Sequence, residues 1–246
     1  MEVIFKIKNF TDDCNSIIDL LYEEENGRIQ KYIADFFDLD ISFLYKAGKE
    51  EGRKIILCKL KNEYLNMEQT INNKLCNITR KWNEVSKDIF NILENIFKYR
   101  LDQNRKIIGE FTINAVCPRY LDSWKFDINF RKNDEEIILA CIHEIIHFIW
   151  FEKWSDVFPY YGKYEYNAPY LPWLFSEIAV DALLKETDLY KYCITDKPAY
   201  KHFYNIYIND KNMMEYFREL FRQGSIEDFM INGIKFIQEN KNIIQS

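Results

Sequence analysis

Two histidines four residues apart, with a glutamate directly after the first, make the pentapeptide His143-Glu144-Ile145-Ile146-His147. On an α-helix, positions i and i+4 stand one above the other on one face, so both imidazoles can reach a single ion. Glu144 lies about 100° further round and borders that ion without being a natural third ligand. Two neutral nitrogen ligands beside a carboxylate base are what a zinc hydrolase needs to activate water. The chain has only 3 histidines, and two of them form this pattern, which makes an accidental pairing a poor explanation. The flanking runs Ile137-Ile138-Leu139-Ala140 and Ile145-Ile146-Phe148-Ile149-Trp150 describe a buried helix, and a metal site requires one.

Catalytic zinc usually takes three protein ligands and a water. After His147 the acidic residues within reach in sequence are Glu152, Asp156, Glu165, Glu177 and Asp181. Glu152 is five positions beyond His147 on the same helix, about 140° around, and points away. Asp156 and Glu165 fall in an irregular, aromatic and proline-bearing stretch and stay open as ligands. Glu177 has the strongest case. It sits in Leu171-Pro172-Trp173-Leu174-Phe175-Ser176-Glu177-Ile178-Ala179-Val180-Asp181, an apolar helix started by proline. Two carboxylates one turn apart in such a helix should not be buried unpaired; a metal and a histidine N–H would satisfy them.

With these residues in place, His143-Glu144-Ile145-Ile146-His147 followed by Ser176-Glu177-Ile178-Ala179-Val180-Asp181 resembles the gluzincin metallopeptidases, the thermolysin-like group with a glutamate third ligand. The resemblance covers about residues 105–190. It implies a zinc-dependent peptidase with His143, His147 and Glu177 as Zn²⁺ ligands, Glu144 as general base toward a metal-activated water, and Asp181 orienting a ligand histidine. It also implies that a strand before the metal helix, residues 109–116, is an edge strand pairing with an extended substrate. The chain departs from the family in three ways. The gap of 30 residues from His147 to Glu177 is long, Ser176 replaces a common asparagine, and no Gly-x-Met-Glu-Asn signature is present. For the oxyanion, His202 in Tyr200-Lys201-His202-Phe203-Tyr204 is one expected donor, and the tyrosines Tyr161, Tyr164 and Tyr166 are others.

The elements that must position these groups follow from the rest of the chain. Residues 1–8 read as a short strand. Residues 11–25 read as a helix capped by Thr11, and 28–47 as helical with a break at Asp38-Leu39-Asp40. Gly48 and Gly52 bracket a charged turn, and residues 53–102 carry two helical patterns. Residues 106–116 are rich in strand formers, and 124–130 alternate as a half-buried strand. The metal helix then runs from about 134 to 152, with Asn133 or Asp134 as its cap. Residues 153–172 form a loop, and helices are expected at 198–208, 211–222 and 225–239. The fold class is therefore α+β and mostly helical: a helical N-terminal portion, 1–104, and a zincin-like half, 105–246, made of a small sheet, the motif helix, the Glu177 helix and C-terminal helices.

The composition narrows the class further. The 246 residues carry a net charge of −6 with 48% hydrophobic content, an ordinary globular balance with no basic patch for nucleic acid. No apolar run approaches the ~18 residues of a membrane span. The six cysteines form no CxxC pair, which suits reduced thiols and a cytoplasmic location. The expected partner is a peptide or protein substrate; the sequence sets no oligomeric state. Two rivals remain: a catalytically inactive zincin-like protein whose metal serves structure or partner binding, and a non-haem iron site, since two histidines and a carboxylate also suit Fe(II).

Overall fold

The computed structural model describes residues 1–22 and 27–244. The fold is α+β and mostly helical, and contacts sort it into two units: Met1–Asn83 with Asn104–Ile137, and Glu84–Gln103 with Ile138–Ser246.

The first unit opens with β1 (Glu2–Ile7) and α1 (Phe10–Tyr22). Asn9, rather than Thr11, starts the helix by accepting from the Thr11 amide; residues 23–25 of the expected helix lie outside the described residues. α2 (Gly27–Phe36) and α3 (Ile41–Ala47) flank the expected break, with Asp40 capping α3. α4 (Lys49–Phe97) is a single helix of 49 residues. The expected turn at 48–52 is confined to Gly48, at φ +80°, because Gly52 is already helical. A Cβ at Gly52 would fall 1.7 Å from the Tyr22 hydroxyl, so the glycine there serves close packing rather than a turn.

β2 (Lys106–Thr112), β3 (Arg119–Tyr120) and β4 (Lys125–Asn129) complete a mixed four-stranded sheet in the order β1-β2-β4-β3. β2 pairs in parallel with β1 on one side and with β4 on the other. It is a central strand, not the free edge that residues 109–116 were expected to offer; both of its hydrogen-bonding sides are taken. The edges are β1 and the two-residue β3.

α5 (Asp134–Val157) begins with a reciprocal cap. Asn133 Oδ1 accepts from the Glu136 amide at 2.8 Å, and Glu136 accepts from the Asn133 amide at 2.9 Å. The helix continues past residue 152 to Val157, because Trp154 keeps the apolar spacing with Trp150 and both are buried.

In the second unit, a 3-10 turn (Lys163–Tyr166) leads to α6 (Leu171–Lys185). Trp150, Trp154 and Phe175 pack ring to ring, with Phe217 and Phe229 against Phe175. These last two rings come from α7 (Met213–Arg222) and α8 (Ile226–Glu239). Ser225 and Asp228 form the expected capping box. The segment 198–208 is not an α-helix. It is a 3-10 turn (Lys201–Asn205) followed by the small hairpin β5 (Tyr207–Ile208) and β6 (Lys211–Asn212).

Candidate metal centre

His143 and His147 sit on consecutive turns of α5, and Glu177 comes from the middle of α6. Both helices are apolar on nearly all sides; in α6 every residue from Leu174 to Leu184 is buried. Such helices are held by packing, not by an amphipathic stripe. The three side chains meet as one group. The two Nε2 atoms are 3.0 Å apart, and Glu177 Oε2 lies 3.5 Å from each. Among the described residues, this is the one set of three metal-ligating side chains brought together. Donors held about 2.0–2.1 Å from one tetrahedral ion stand about 3.3–3.4 Å from each other, and the observed separations bracket that value. The donor set also suits a divalent ion chemically: two imidazole nitrogens and one carboxylate, with no thiol.

The site is closed on one side and open on the other. His147 is fully buried, whereas the His143 side chain is 22% exposed and Glu144 is partly exposed beside it. The ring of Phe151, one turn after His147, lies nearly parallel to the imidazole, and Tyr166 stacks on Phe151 at 4.5 Å. Burial pushes the Glu177 carboxyl up, but the adjoining imidazoles of His147 and His143 outweigh it and hold the group well below the usual carboxylate range.

The structure places the remaining expected residues as follows. Asp156 is exposed in the last turn of α5, and Glu165 accepts from the Gly162 amide at 2.9 Å; neither belongs to the triad. Asp181, one turn after Glu177, is fully buried. Its Oδ1 accepts from the Tyr204 hydroxyl and its Oδ2 from Arg218, so its oxygens are engaged by residues other than the ligand histidines. His202 is exposed, and its ring lies against Tyr200 and Phe203; among the described residues no hydrogen bond or ion pair joins it to the triad. Tyr161 accepts from Gln238 and Tyr164 is exposed.

Sequence reasoning missed Tyr204 and Arg218. The signal that could have found them is the buried Asp181 itself, which demands donors.

No protein-family model, curated protein or solved structure matches the chain. Fold and site together define an α+β protein with a buried His-His-Glu triad in the arrangement of an HExxH…E zinc site. Among the described residues, no helix is long and apolar enough to cross a membrane.

Proposed function

We propose that this chain is a zinc-dependent peptidase of the gluzincin kind. The observation that carries the reading is the triangle of Nε2, Nε2 and Oε2 atoms with Glu144 next to its exposed corner. His143, His147 and Glu177 would hold the ion. Bound there, zinc supplies Lewis acidity toward a water and toward the scissile carbonyl.

The chain's own residues do the rest. Glu144 takes the proton of the attacking water on a carboxylate oxygen and delivers it to the leaving amine nitrogen. Its partial exposure leaves it within reach of a substrate from outside the core. Glu177, ionised by its imidazole neighbours, contributes the negative charge of the ligand set. Phe151, backed by Tyr166, lies beside the ring of His147 and helps to hold it. A purely structural site is usually closed by four protein ligands and needs no adjoining base. The triad with the partly exposed Glu144 fits the open, catalytic type.

The test joins two measurements on the full chain: metal content after purification without added metal, and hydrolysis of a denatured protein substrate. Wild type should carry about one zinc per chain and cleave. Glu144→Gln should keep the metal and lose about 10²–10⁴-fold in turnover. Equal cleavage by the variant would remove Glu144 from the mechanism, and iron in place of zinc would favour the oxygenase-type reading.

A further inference from the structure

The sheet of the first unit ends at β1 in an unpaired edge. β1 bonds to β2 through its even-numbered residues. The Glu2 amide donates to the Arg105 carbonyl and the Lys8 amide to the Phe111 carbonyl, each at 3.0 Å. In a parallel ladder, alternate residues turn their N–H and C=O groups to opposite sides. The backbone groups of Val3, Phe5 and Ile7 therefore point out of the edge. Among the described residues no hydrogen bond engages them.

Such an edge is commonly blunted by proline, a bulge or shortness. β1 uses none of these. Glu2-Val3-Ile4-Phe5-Lys6-Ile7 has no proline, and all 6 residues pair with β2 in unbroken register. The opposite edge, β3, has only 2 residues.

The two faces of β1 differ. Val3, Phe5 and Ile7 lie on the core face, where the Phe5 ring meets Phe111 and Trp82. Glu2, Ile4 and Lys6 lie on the other. Glu2 is exposed, Ile4 is half-buried, and the Lys6 side chain is 52% exposed while it bridges to Glu110. An acid and a base thus stand at equal distances on either side of Ile4. Reversing the strand about Ile4 exchanges their places, so the edge is complementary in charge to its own reverse.

The backbone agrees with that register. In an antiparallel copy centred on Ile4, Val3 falls opposite the partner's Phe5. These are residues whose N–H and C=O groups face outward, so they form a hydrogen-bonded pair. Glu2 then falls opposite the partner's Lys6, and the two Ile4 side chains meet on the axis. Both are non-hydrogen-bonded positions, where side chains approach most closely. Slid by two residues either way, Glu2 would face Ile4 or Lys8 instead, and Lys8 is buried against Asp127.

We propose that β1 pairs antiparallel with β1 of a second copy of this chain, joining two four-stranded sheets in a two-fold dimer. The contact is isologous and uses both open edges, so assembly stops at two. A foreign extended peptide also fits an open edge, but the match of Glu2 and Lys6 to their own reverse singles out a second copy. One short strand on each side places the dimer in the weak, transient class.

The test is sedimentation equilibrium of the full-length chain, free of an N-terminal tag, from about 1 to about 200 μM, where a small interface associates. Wild type should pass from monomer to dimer as concentration rises. Glu2→Lys sets like charges across the axis twice and should weaken the dimer about tenfold or more. Glu2 is exposed, so folding is not at stake. The change also lowers the net charge of −6 in magnitude, so a general charge effect would run the other way. Lys6→Glu should weaken the dimer similarly and leaves Lys125 on Glu110. Mixed in equal amounts, the two variants should pair with each other about as tightly as wild type, because each new charge meets its opposite. A wild type that stays monomeric would overturn the proposal and leave the edge to a foreign strand. A Glu2→Lys dimer as tight as wild type, or two folded variants that stay apart when mixed, would overturn it as well. The first two outcomes decide even where Lys6→Glu fails to fold.

Discussion

Tyr204 donates its phenolic hydrogen to Oδ1 of Asp181 at 2.7 Å, one helical turn beyond Glu177. With Arg218 donating to Oδ2 at 2.9 Å, a fully buried carboxylate is satisfied from two sides. Tyr204→Phe takes the hydroxyl donor from a buried oxygen, leaving the Lys185 ammonium 3.9 Å away beside it. We expect a loss of about 1–3 kcal/mol in urea unfolding. An unmoved midpoint would mean that Arg218 and Lys185 satisfy the group without the hydroxyl.

Removing the carboxylate ligand should act on the metal before it acts on the fold. Glu177→Ala deletes one corner of the triangle and should lower zinc affinity by more than about 100-fold, since even outer-shell losses cost 10–100-fold. Competition with a chromophoric chelator measures it. Zinc held as tightly by the variant as by wild type would remove Glu177 from the ligand set.

Asp127 supplies a pH signature for the first unit. Burial, with Asp13 and Glu110 adding to it, pushes its carboxyl from 3.8 up to about 6, against the pull of Lys8. Between those values the folded chain holds a proton that the unfolded chain has released. This group's contribution to stability therefore falls as pH rises toward about 6 and is flat above it. Relative to Asp127→Asn, wild type should gain about 2 kcal/mol on going from pH 7 to pH 4. Parallel urea midpoints across that range would refute the raised value.

Gly233 on α8 meets α6 where no side chain fits. A Cβ there would come within 2.1 Å of Phe175 Cζ, and that ring is locked among Trp150, Trp154, Phe217 and Phe229. Gly233→Ala should destabilise by about 1–3 kcal/mol through overpacking, read as a lowered thermal midpoint. A variant as stable as wild type would show that the ring has room to move.

The helical motif, its caps and the choice of Glu177 were legible because each rests on local spacing. His143 and His147 are four apart, Asn133 and Glu136 three apart, and Glu177 lies in an apolar run that admits no unpaired charge. What stayed hidden depends on partners far along the chain. β2 reads as a strand from its own residues, but only β1, about 100 positions earlier, makes it central. The alternation in β4 suggested a solvated polar face, yet Asp127 is buried because Lys8 pairs with it and α1 crosses nearby. The same holds for Tyr204: nothing in Tyr200–Tyr204 marks which ring reaches Asp181, and His202, the more chemically suggestive residue, is the one left outside.

α6 is buried from Leu174 to Leu184, and α5 is buried from Ile145 to Phe151, so packing holds the backbone that carries His147 and Glu177. Small zinc modules melt when the ion is withdrawn because the ion is most of their cohesion. Here cohesion comes from rings and aliphatic side chains outside the triad. Chelation should therefore leave far-ultraviolet dichroism unchanged, and re-addition should restore the loaded protein without a refolding lag. On the proposed reading, metal exchange would be an event at constant architecture, with the ion's address kept whether or not the ion is there.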